Sequence, residues 1–509
     1  MSEPVFDLQS LQGQTVRGLI DHWAGEKPDD VYLVDPNSST ETSFLQLQKR
    51  CRALSKYLHD AGLTTGETVG YAFHNGVDAA VAILAIMYGG YTATAINLVS
   101  GKQTISHVLN HSAARLVLCQ EKTLPLLTEA APEKDKNEFL LLSALNLADD
   151  AAEPDDAINA QDDALLMYTS GTTGVPKGVV HTHASLLAGG GNAVLAHQLT
   201  ERDRGLCVLP LYHINGLCVT LLGSLVSGSS LVVPDRFSVS AFWGTIRRNQ
   251  CSWFSVVPTQ ISYLLQEAEN NGHDPSGLEV LRFGRSASAP LSPDVQTAFE
   301  ERFNVPIIET MGLTETAAQI LSNPIDGTRK IGSPGIAFGN EVIIADDHQN
   351  EVSHGREGEV LVRGHNVMKL YRNNDEATTA SLTPNKWLRT GDLGRMDDEG
   401  YVFITGRLKE LIIKGGENIA PREIDEALYS HPDVVEAAAF PRECKQYGQK
   451  VEAGVMIRVG SDLNVEQLYK ICEDRLGKFK SPEVIHVLPE LPKGPSGKIQ
   501  RLKIADMTA

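Results

Sequence analysis

Apolar positions follow two alternating spacings through the first two-thirds of the chain. Residues 43–61 show the helical spacing, with a possible capping box formed by Ser43 and Gln46. The apolar positions of this segment are Leu47, Cys51, Leu54 and Leu58, and Gly62 stands where a C-terminal cap would. Short apolar runs bounded by Gly, Asn, Asp or Pro predict buried parallel strands at 67–73, 114–118 and 229–233. This alternation predicts doubly wound α/β sheets, two of them in a large N-terminal domain.

The pattern changes after about Gly339. Runs 341–345, 358–362 and 401–404 read as strands joined by polar turns, which predicts a small β-barrel-like unit. From about Lys409 the pattern is mixed, with predicted helices at 421–430 and 465–476 and predicted strands at 434–440 and 451–459. We therefore predict an α/β core over residues 1–407 and a smaller, mobile α+β domain over residues 408–509.

Composition narrows the functional classes. The 509 residues carry a formal net charge of −19, which disfavours a nucleic-acid or anionic-membrane binder. The seven cysteines include no Cys-x-x-Cys pair, as is typical of reduced thiols in the cytoplasm. The most apolar stretch, 77–99, is interrupted by polar residues and glycines and predicts a buried helix followed by a strand rather than a membrane span. The N-terminus shows no signal-peptide pattern, so we expect a cytoplasmic protein.

One segment has the chemistry of a polyphosphate cradle. The run Tyr168–Gly178 follows a predicted strand, and its last ten positions hold four Ser or Thr hydroxyls, three glycines and Lys177. Glycines let backbone N–H groups face an anion, while hydroxyls and a lysine add donors and charge. It is not a Walker A loop, because Lys177 lies between Pro176 and Gly178. A flexible surface loop is the alternative. The candidate phosphate-binding residues are Thr169, Ser170, Gly171, Thr172, Thr173, Gly174 and Lys177.

The segment YTSGTTGVPKGV closely resembles the phosphate-loop signature of the adenylate-forming superfamily. That superfamily includes acyl- and aryl-CoA synthetases, luciferases and the adenylation domains of peptide synthetases. Further segments resemble its other signatures in the same order along nearly the whole chain. The resemblance implies ATP, Mg²⁺ and coenzyme A as cofactors and a small carboxylic acid as substrate.

Three segments then align with the acyl and nucleotide sites. In PLYHING, His213 resembles the residue that borders the reacting carboxylate, although a lone histidine is more often structural. In RSASAPL, the residues Ser288, Ala289 and Pro290 resemble the loop that packs against adenine, with an ordinary turn as the alternative. In ETMGLTET, the residues Glu309, Thr310 and Met311 resemble the next nucleotide signature, with Met311 where many members carry an aromatic residue.

The same segment supplies the catalytic polar pair. Thr314 resembles the hydroxyl that binds the α-phosphate, and Glu315 resembles the magnesium-associated carboxylate. Glu315 also suits the start of a helix, and both roles are compatible. Ser170 is a second candidate metal ligand.

The C-terminal third carries the remaining signatures. Asp392 and Arg407 resemble the ribose-binding pair, and Lys409 resembles the family hinge. The Lys414, Gly415, Gly416 and Glu417 segment resembles the wall of the pantetheine tunnel, although a simple Gly-Gly turn has the same pattern. Lys498 resembles the catalytic lysine, where a solvated surface charge is the alternative.

The resemblance implies an AMP-forming acid–CoA ligase. An adenylation enzyme that loads a carrier protein and a non-enzymatic binding protein are the alternatives. Only nine residues, 501–509, follow the last motif, so we expect no fused carrier domain. The substrate is expected to be a small polar acid, with a medium- or long-chain fatty acid as alternative. Arg285 either pairs with a second anionic group of that acid or is structural. We expect no nucleic-acid partner and no integral membrane association, and we leave a homodimer open.

Overall fold

The computed structural model describes residues 6–135, 138–145, 147, 151–154, 156–169, 176–272, 274, 276–494 and 499–508. Its strands form four sheets, two of which are large and mostly parallel. Helices cover these two sheets and separate them. This arrangement confirms the predicted α/β class.

The first large sheet has nine strands in the order β15-β14-β13-β12-β11-β9-β10-β1-β2. These strands are β1 Val31–Asp35, β2 Thr40–Ser43, β9 Arg204–Cys207, β10 Ser230–Val232, β11 Trp253–Val256, β12 Phe283–Ser286, β13 Ile307–Leu313, β14 Ala318–Ser322 and β15 Ile336–Ala337. Its central pairs are parallel, and the strands β2, β14 and β15, at the two ends of the sheet, run antiparallel to their neighbours.

The second large sheet has seven strands in the order β18-β8-β7-β4-β3-β5-β6. These strands are β3 Thr68–Ala72, β4 Thr92–Ala95, β5 Leu116–Cys119, β6 Phe139–Leu141, β7 Asp163–Thr169, β8 Lys177–Thr182 and β18 Leu370–Tyr371. The strands β7 and β8 form an antiparallel pair that ends an otherwise parallel series. The predicted phosphate loop joins these two strands.

Two smaller sheets follow. The antiparallel sheet β16-β17-β19-β20 lies where the small β-barrel-like unit was predicted, and its described strands form an open four-stranded order rather than a closed barrel. Its strands are β16 Glu341–Ala345, β17 Glu357–Arg363, β19 Leu388–Met396 and β20 Val402–Arg407. The last sheet consists of β21 Ile412–Lys414, β22 Glu417–Ile419, β23 Val434–Cys444, β24 Gly448–Ile457 and β25 Val484–Val487.

Helices fill the space between and around these sheets. Their bounds are α1 Val16–Glu26, α2 Phe44–Asp60, α3 Val77–Tyr88, α4 Lys102–His111, α5 Leu124–Ala130, α6 His183–His197, α7 Gly223–Ser227, α8 Val239–Asn249, α9 Pro258–Asn271, α10 Pro293–Phe303, α11 Asp375–Ala380, α12 Pro421–Tyr429, α13 Val465–Lys480 and α14 Arg501–Met507. Short 3-10 turns lie at Leu8–Leu11, Leu142–Ala144 and Thr314–Thr316, and a π-helical segment spans Asn215–Leu222.

The helix α2 shows how local pattern decides structure. Ser43 caps the helix through a capping box with Gln46, as predicted. The four predicted apolar positions are all buried, and Gly62 adopts the left-handed conformation that ends many helices. The stretch 77–99 likewise forms the buried helix α3 followed by the strand β4.

The main apolar core lies between the two large sheets. The helix α3 is buried from Ala79 to Tyr88 and belongs to this core, which also takes in side chains of α2 and of the π-helical segment. A separate apolar cluster holds the last sheet to α12 and α13. Among the described residues, none of the helices has the length and apolar character needed to cross a bilayer.

All seven cysteines are free thiols. Six are buried: Cys51, Cys119, Cys207, Cys218, Cys251 and Cys472. Burial raises the pKa of Cys119 and Cys207 to about 11. Only Cys444, at the end of β23, is partly exposed. Disulfides therefore play no part in holding this fold together.

Candidate active site

The predicted phosphate loop is closed by a pair of strand residues. Thr169 ends β7 and faces Lys177, which begins β8, as partners in antiparallel register. Residues 170–175 lie outside the described part of the chain. Both stems of the loop are nevertheless fixed by the ladder, so Thr169 and Lys177 are held beside its mouth.

Tyr371 joins the loop to the predicted metal carboxylate. Its strand β18 pairs with β8, with Tyr371 opposite Val179. The ammonium of Lys177 lies 4.9 Å from the centre of the Tyr371 ring, and the Tyr371 hydroxyl donates a 2.7 Å hydrogen bond to Glu315 Oε1. Burial, and next the Glu315 charge, raise the pKa of Tyr371, so the hydroxyl keeps its proton. One side chain therefore positions a cation and an anion.

A buried histidine fixes the backbone before Glu315. His181 Nε2 lies 2.7 Å from the carbonyl oxygen of Thr314, and its Nδ1 lies 3.0 Å from the Ser185 hydroxyl. A carbonyl can only accept, so Nε2 carries the proton. Burial lowers the pKa of His181 to about 4, which keeps the ring neutral at physiological pH. His181 thus fixes the position of the Thr314 carbonyl.

The residues around Glu315 suit a magnesium ion bound mainly by phosphate. Glu315 is half-buried and uses Oε1 for Tyr371, while Oε2 accepts no hydrogen bond from any described residue. The described residues contain no group of three or more His, Cys, Asp or Glu side chains placed to hold a metal on their own. Magnesium is commonly held by one or two carboxylates together with substrate phosphates and water. A single oxygen donor at Glu315 fits that chemistry.

The predicted adenine loop is tied to β13. Glu309 is buried and accepts a 3.1 Å hydrogen bond from the Leu291 backbone N–H, while burial raises its pKa. The Thr310 hydroxyl donates to the Ser286 carbonyl at 3.3 Å. Ala289 and Pro290 lie between these contacts and are partly or fully exposed. The loop is therefore fixed at both ends, with small side chains at its surface.

Met311 and Ser288 flank this loop. Met311 is half-buried and packs against the apolar cluster around Ile320. Ser288 has a positive φ of 74°, and its hydroxyl accepts a 3.1 Å hydrogen bond from Asn215 Nδ2. The Ser288 hydroxyl therefore contacts the segment predicted to border the acyl pocket.

The predicted ribose pair is formed by two strand partners. Asp392 and Arg407 face each other across β19 and β20. Arg407 Nε lies 2.6 Å from Asp392 Oδ1, and Arg407 Nη2 lies 3.4 Å from Oδ2. The arginine holds a nearly buried carboxylate in a defined orientation, which suits recognition of two vicinal hydroxyls.

The predicted hinge lies just beyond this pair. Lys409 is exposed, in a turn closed by a 3.0 Å hydrogen bond from Glu410 N–H to the Arg407 carbonyl. Gly415 and Gly416 follow as the tight turn of the β21–β22 hairpin, with φ angles of 61° and 87°. Glycine tolerates both left-handed positions without strain.

Lys414 and Glu417 are paired across the β21–β22 hairpin. Lys414 is buried, donates to the Phe479 carbonyl at 3.1 Å and pairs with Glu483 at 3.1 Å. Glu417 and the two glycines are exposed. These polar contacts of Lys414 are made to α13 and to the segment that leads into β25.

The loop that carries Lys498 is anchored at its stems. Residues 495–498, including Lys498, lie outside the described part of the chain. Lys493 and Ile499 form a bridge, and Gln500 N–H donates to the Pro492 carbonyl at 2.8 Å. Lys493 Nζ lies 2.6 Å from the buried Glu436 and 3.2 Å from the Tyr263 hydroxyl on α9. The stem therefore contacts the helix α9 directly.

A π-helical segment begins beside His213. His213 is half-buried next to Tyr212, with ring centres 4.8 Å apart. Asn215 opens the segment Asn215–Leu222, and its Oδ1 accepts a 2.6 Å hydrogen bond from Arg285 Nη1. Single π-helical turns occur frequently at functional sites. Asn215 thus connects the predicted acyl segment with Arg285 and Ser288.

Three residues that contact predicted site residues have no role in the predictions made from the sequence. Tyr371, His181 and Asn215 were not assigned roles, although each contacts a predicted site residue. The pairing of β18 with β8 brings Tyr371 to Glu315 across 56 positions of sequence. The sequence shows no local pattern for this contact; only long-range strand pairing produces it.

Two protein-family models and several known proteins match this chain. The model of the AMP-binding enzyme family matches residues 20–372, and the model of the AMP-binding enzyme C-terminal domain matches residues 423–498. The chain is 44% identical over 499 residues to the sulfoacetate–CoA ligase of Cupriavidus necator, covering 96% of this chain and 97% of that protein. It is 34% identical over 510 residues to the oxalate–CoA ligase of Arabidopsis thaliana, covering 97% and 99%.

A solved structure shows the same similarity over nearly the whole chain. The o-succinylbenzoate coenzyme A synthetase of Bacillus subtilis, in complex with ATP and magnesium ion, superposes with a TM-score of 0.84. Its sequence is 30% identical, and the match covers 97% of this chain and 100% of that one. The likeness extends over both the large sheets and the C-terminal sheet.

Proposed function

Because the chain belongs to the AMP-binding enzyme family, we propose that it is an AMP-forming acid–CoA ligase for small polar acids. The relatives described above are ligases that join acids to CoA. In the proposed reaction, a carboxylate attacks the α-phosphate of ATP, giving an acyl-AMP and pyrophosphate. CoA then displaces AMP to give the thioester.

The observation that carries the proposal is the Lys177–Tyr371–Glu315 cluster. A cation beside the loop mouth and a carboxylate held by the same tyrosine provide one group for phosphate and one for its metal. Bound magnesium supplies charge neutralisation for the departing pyrophosphate. The protein contributes mainly by holding two anions in position and by placing donors where negative charge grows.

Individual residues take the predicted roles in this proposal. Thr169, Lys177 and the residues 170–174 bind the β- and γ-phosphates, and Thr314 binds the α-phosphate. Asp392 and Arg407 hold the ribose, while the loop 288–290 and the strand 309–311 border adenine. His213 borders the reacting carboxylate, and Lys498 bridges that carboxylate and the α-phosphate.

The second half-reaction needs a different surface. We place the hinge at Lys409, between residues 1–407 and 408–509. Rotation there withdraws Lys498 and brings Lys414–Glu417 towards the acyl-AMP. Contact of Lys493 with Tyr263, together with an exposed Gly415–Gly416 turn, supports an arrangement that belongs to the adenylation step. A rotation about one turn can exchange the two surfaces.

The cellular setting is part of the same proposal. Seven free thiols, six of them buried, support a reducing compartment such as the cytoplasm. ATP, CoA and the acid are small partners that need no further chain. Homodimer formation stays a prediction that sedimentation velocity would check.

The test is a product assay with purified protein. Protein is mixed with ATP, Mg²⁺, CoA and a panel of acids, and AMP, pyrophosphate and CoA thioester are measured separately. We expect all three products with small polar acids. Pyrophosphate without CoA thioester would indicate an acceptor other than CoA, such as a carrier protein. Preference for long-chain acids would contradict the substrate class, and release of neither pyrophosphate nor AMP with any acid would overturn the proposal.

A further inference from the structure

Arg285 is a fully buried cation without an anionic partner. It lies in β12, with 2% of its surface exposed, and no described carboxylate pairs with it. Its hydrogen bonds go to neutral oxygens: Asn215 Oδ1 at 2.6 Å, Ser255 Oγ at 3.1 Å and Gln319 Oε1 at 3.3 Å. Burial lowers its pKa to about 9, which leaves it protonated at neutral pH. An uncompensated buried charge is costly, and an arriving anion would offset that cost.

A chain of hydrogen bonds leads from this cation to a partly exposed hydroxyl. Arginine can only donate, so the Asn215 amide must turn its oxygen to Arg285 and its nitrogen to Ser288. The Ser288 hydroxyl therefore accepts from Asn215 and keeps its own proton to donate. The charge of Arg285 polarises this hydroxyl through Asn215.

Two further donors around Arg285 lack partners. Gln319 Oε1 receives protons from Arg285 Nε and His197 Nε2, so the Gln319 Nε2 group points elsewhere. That nitrogen is buried without a hydrogen-bond partner among the described residues, and Arg285 Nη2 likewise donates to none of them. Burial lowers the pKa of His197, so the ring is neutral. The region holds one positive charge and surplus donors, which is complementary to an anion.

We propose that the acid substrate carries a second anionic group, a sulfonate or carboxylate, which the Arg285–Asn215–Ser288 chain receives through the Ser288 hydroxyl. This inference rests on the proposed ligase function. Ser288 contacts the anion, and Arg285 is a positioning residue that acts through Asn215 and through its charge. The charge also offsets repulsion between this anion and the α-phosphate.

The test compares acids that differ in one charge but hardly in size. Sulfoacetate is compared with methylsulfonylacetate, and malonate is compared with malonamate. For each acid, kcat and KM are measured from AMP release by the full-length enzyme. The wild type should favour at least one dianion over its isostere by about tenfold or more. Arg285→Gln should bring that ratio close to one, mainly by raising the KM of the dianion, while the KM for ATP stays the same. Arg285→Lys should restore part of the preference.

A second variant keeps the proposal testable if Arg285→Gln fails to fold. Asn215→Asp has nearly the same shape but places a carboxylate on Arg285, so the preference for dianions should also disappear. Arg248→Gln, the same change at an exposed arginine, is the matched control and should leave the ratio unchanged.

The outcomes distinguish failure of this inference from failure of the proposed ligase function. No AMP with any acid would overturn the ligase function itself. AMP with equal or better rates for the monoanions in both pairs would overturn only the dianion inference. An equal loss for both members of a pair in the folded Arg285→Gln and Asn215→Asp variants would show a purely structural arginine and overturn it as well.

Discussion

The Tyr371 hydroxyl donates a 2.7 Å hydrogen bond to Glu315 Oε1, across a separation of 56 residues. The same ring lies 4.9 Å from the ammonium of Lys177. The tyrosine thus connects the strand that follows the phosphate loop with the proposed magnesium carboxylate. This contact leads to the first prediction.

Tyr371→Phe keeps the ring beneath Lys177 and removes only the donor. Hydrogen bonds to charged groups contribute about 1.5–3 kcal/mol, so kcat for AMP formation should fall roughly ten- to hundredfold and more Mg²⁺ should be needed. Pyrophosphate release at increasing Mg²⁺, with calorimetric ATP binding, checks this. Tyr401→Phe removes a hydroxyl that donates to the Thr328 carbonyl instead and should leave the Mg²⁺ requirement unchanged. Identical Mg²⁺ curves for Tyr371→Phe and wild type would contradict the positioning role.

Lys498 and Lys409 should affect different half-reactions. Lys498→Ala should abolish acyl-AMP formation, because the bridging cation is lost, and should leave thiolysis of supplied acyl-AMP largely intact. Lys409→Pro should do the reverse, because proline fixes φ and opposes hinge rotation. Each half-reaction is measured alone, by pyrophosphate release and by thioester formation from acyl-AMP. Loss of the same half-reaction in both variants would rule out two alternating arrangements.

Gly312 stands where the chain has no room for a side chain. A Cβ there would lie 1.7 Å from the Ala318 carbonyl oxygen, across the β13–β14 pair. Gly312→Ala should cost roughly 3 kcal/mol or more and displace Thr314 and Glu315, lowering both melting temperature and activity. Gly25→Ala, in α1 with nothing within 4 Å of its Cβ, should be neutral or stabilising. Equal melting temperatures for the two variants would refute the steric argument.

Three buried neutral histidines should make the protein acid-labile. Burial lowers the pKa of His181 and His183 to about 4, and that of His197 well below its usual value. The unfolded chain, with histidine pKa values of about 6.5, binds more protons between pH 4 and 6.5. Stability therefore falls as pH falls through this window, by up to about 1.4 kcal/mol per pH unit for each histidine.

The histidine contribution can be measured one residue at a time. His183 Nδ1 accepts a hydrogen bond from Val16 N–H, and His183→Asn keeps an acceptor while removing the titrating group. Proton uptake on unfolding at pH 5.5 should drop by almost one proton in this variant. Unchanged uptake in His183→Asn would contradict the assignment of a neutral ring.

Features set by nearby residues were predictable from sequence. The α2 helix followed from its capping box and from four apolar positions spaced three or four apart, because helical burial repeats locally. The strands of the β-rich unit followed from apolar runs between polar turns. The phosphate loop was recognisable because its chemistry is concentrated in ten consecutive positions.

Features made by distant elements were not predictable. Arg285 was visible in sequence, but its partners Asn215, Ser255 and Gln319 come from three other elements that only the folded sheet brings together. All three partners are neutral, so they leave the charge of Arg285 without a compensating anion. Long-range packing decides which residues surround Arg285. The roles of residues 170–175 and of Lys498 stay predictions, since these residues lie outside the described part of the chain.

The uneven burial of the thiols has a practical consequence. With six cysteines enclosed, an alkylating dye should react first at Cys444, at the end of β23, which lies beyond the hinge and is separated from the Gly415–Gly416 hairpin by β24. The native sequence therefore offers one natural labelling position on the part proposed to rotate. A fluorophore at Cys444 would report each turnover as a change in its surroundings, without engineered residues.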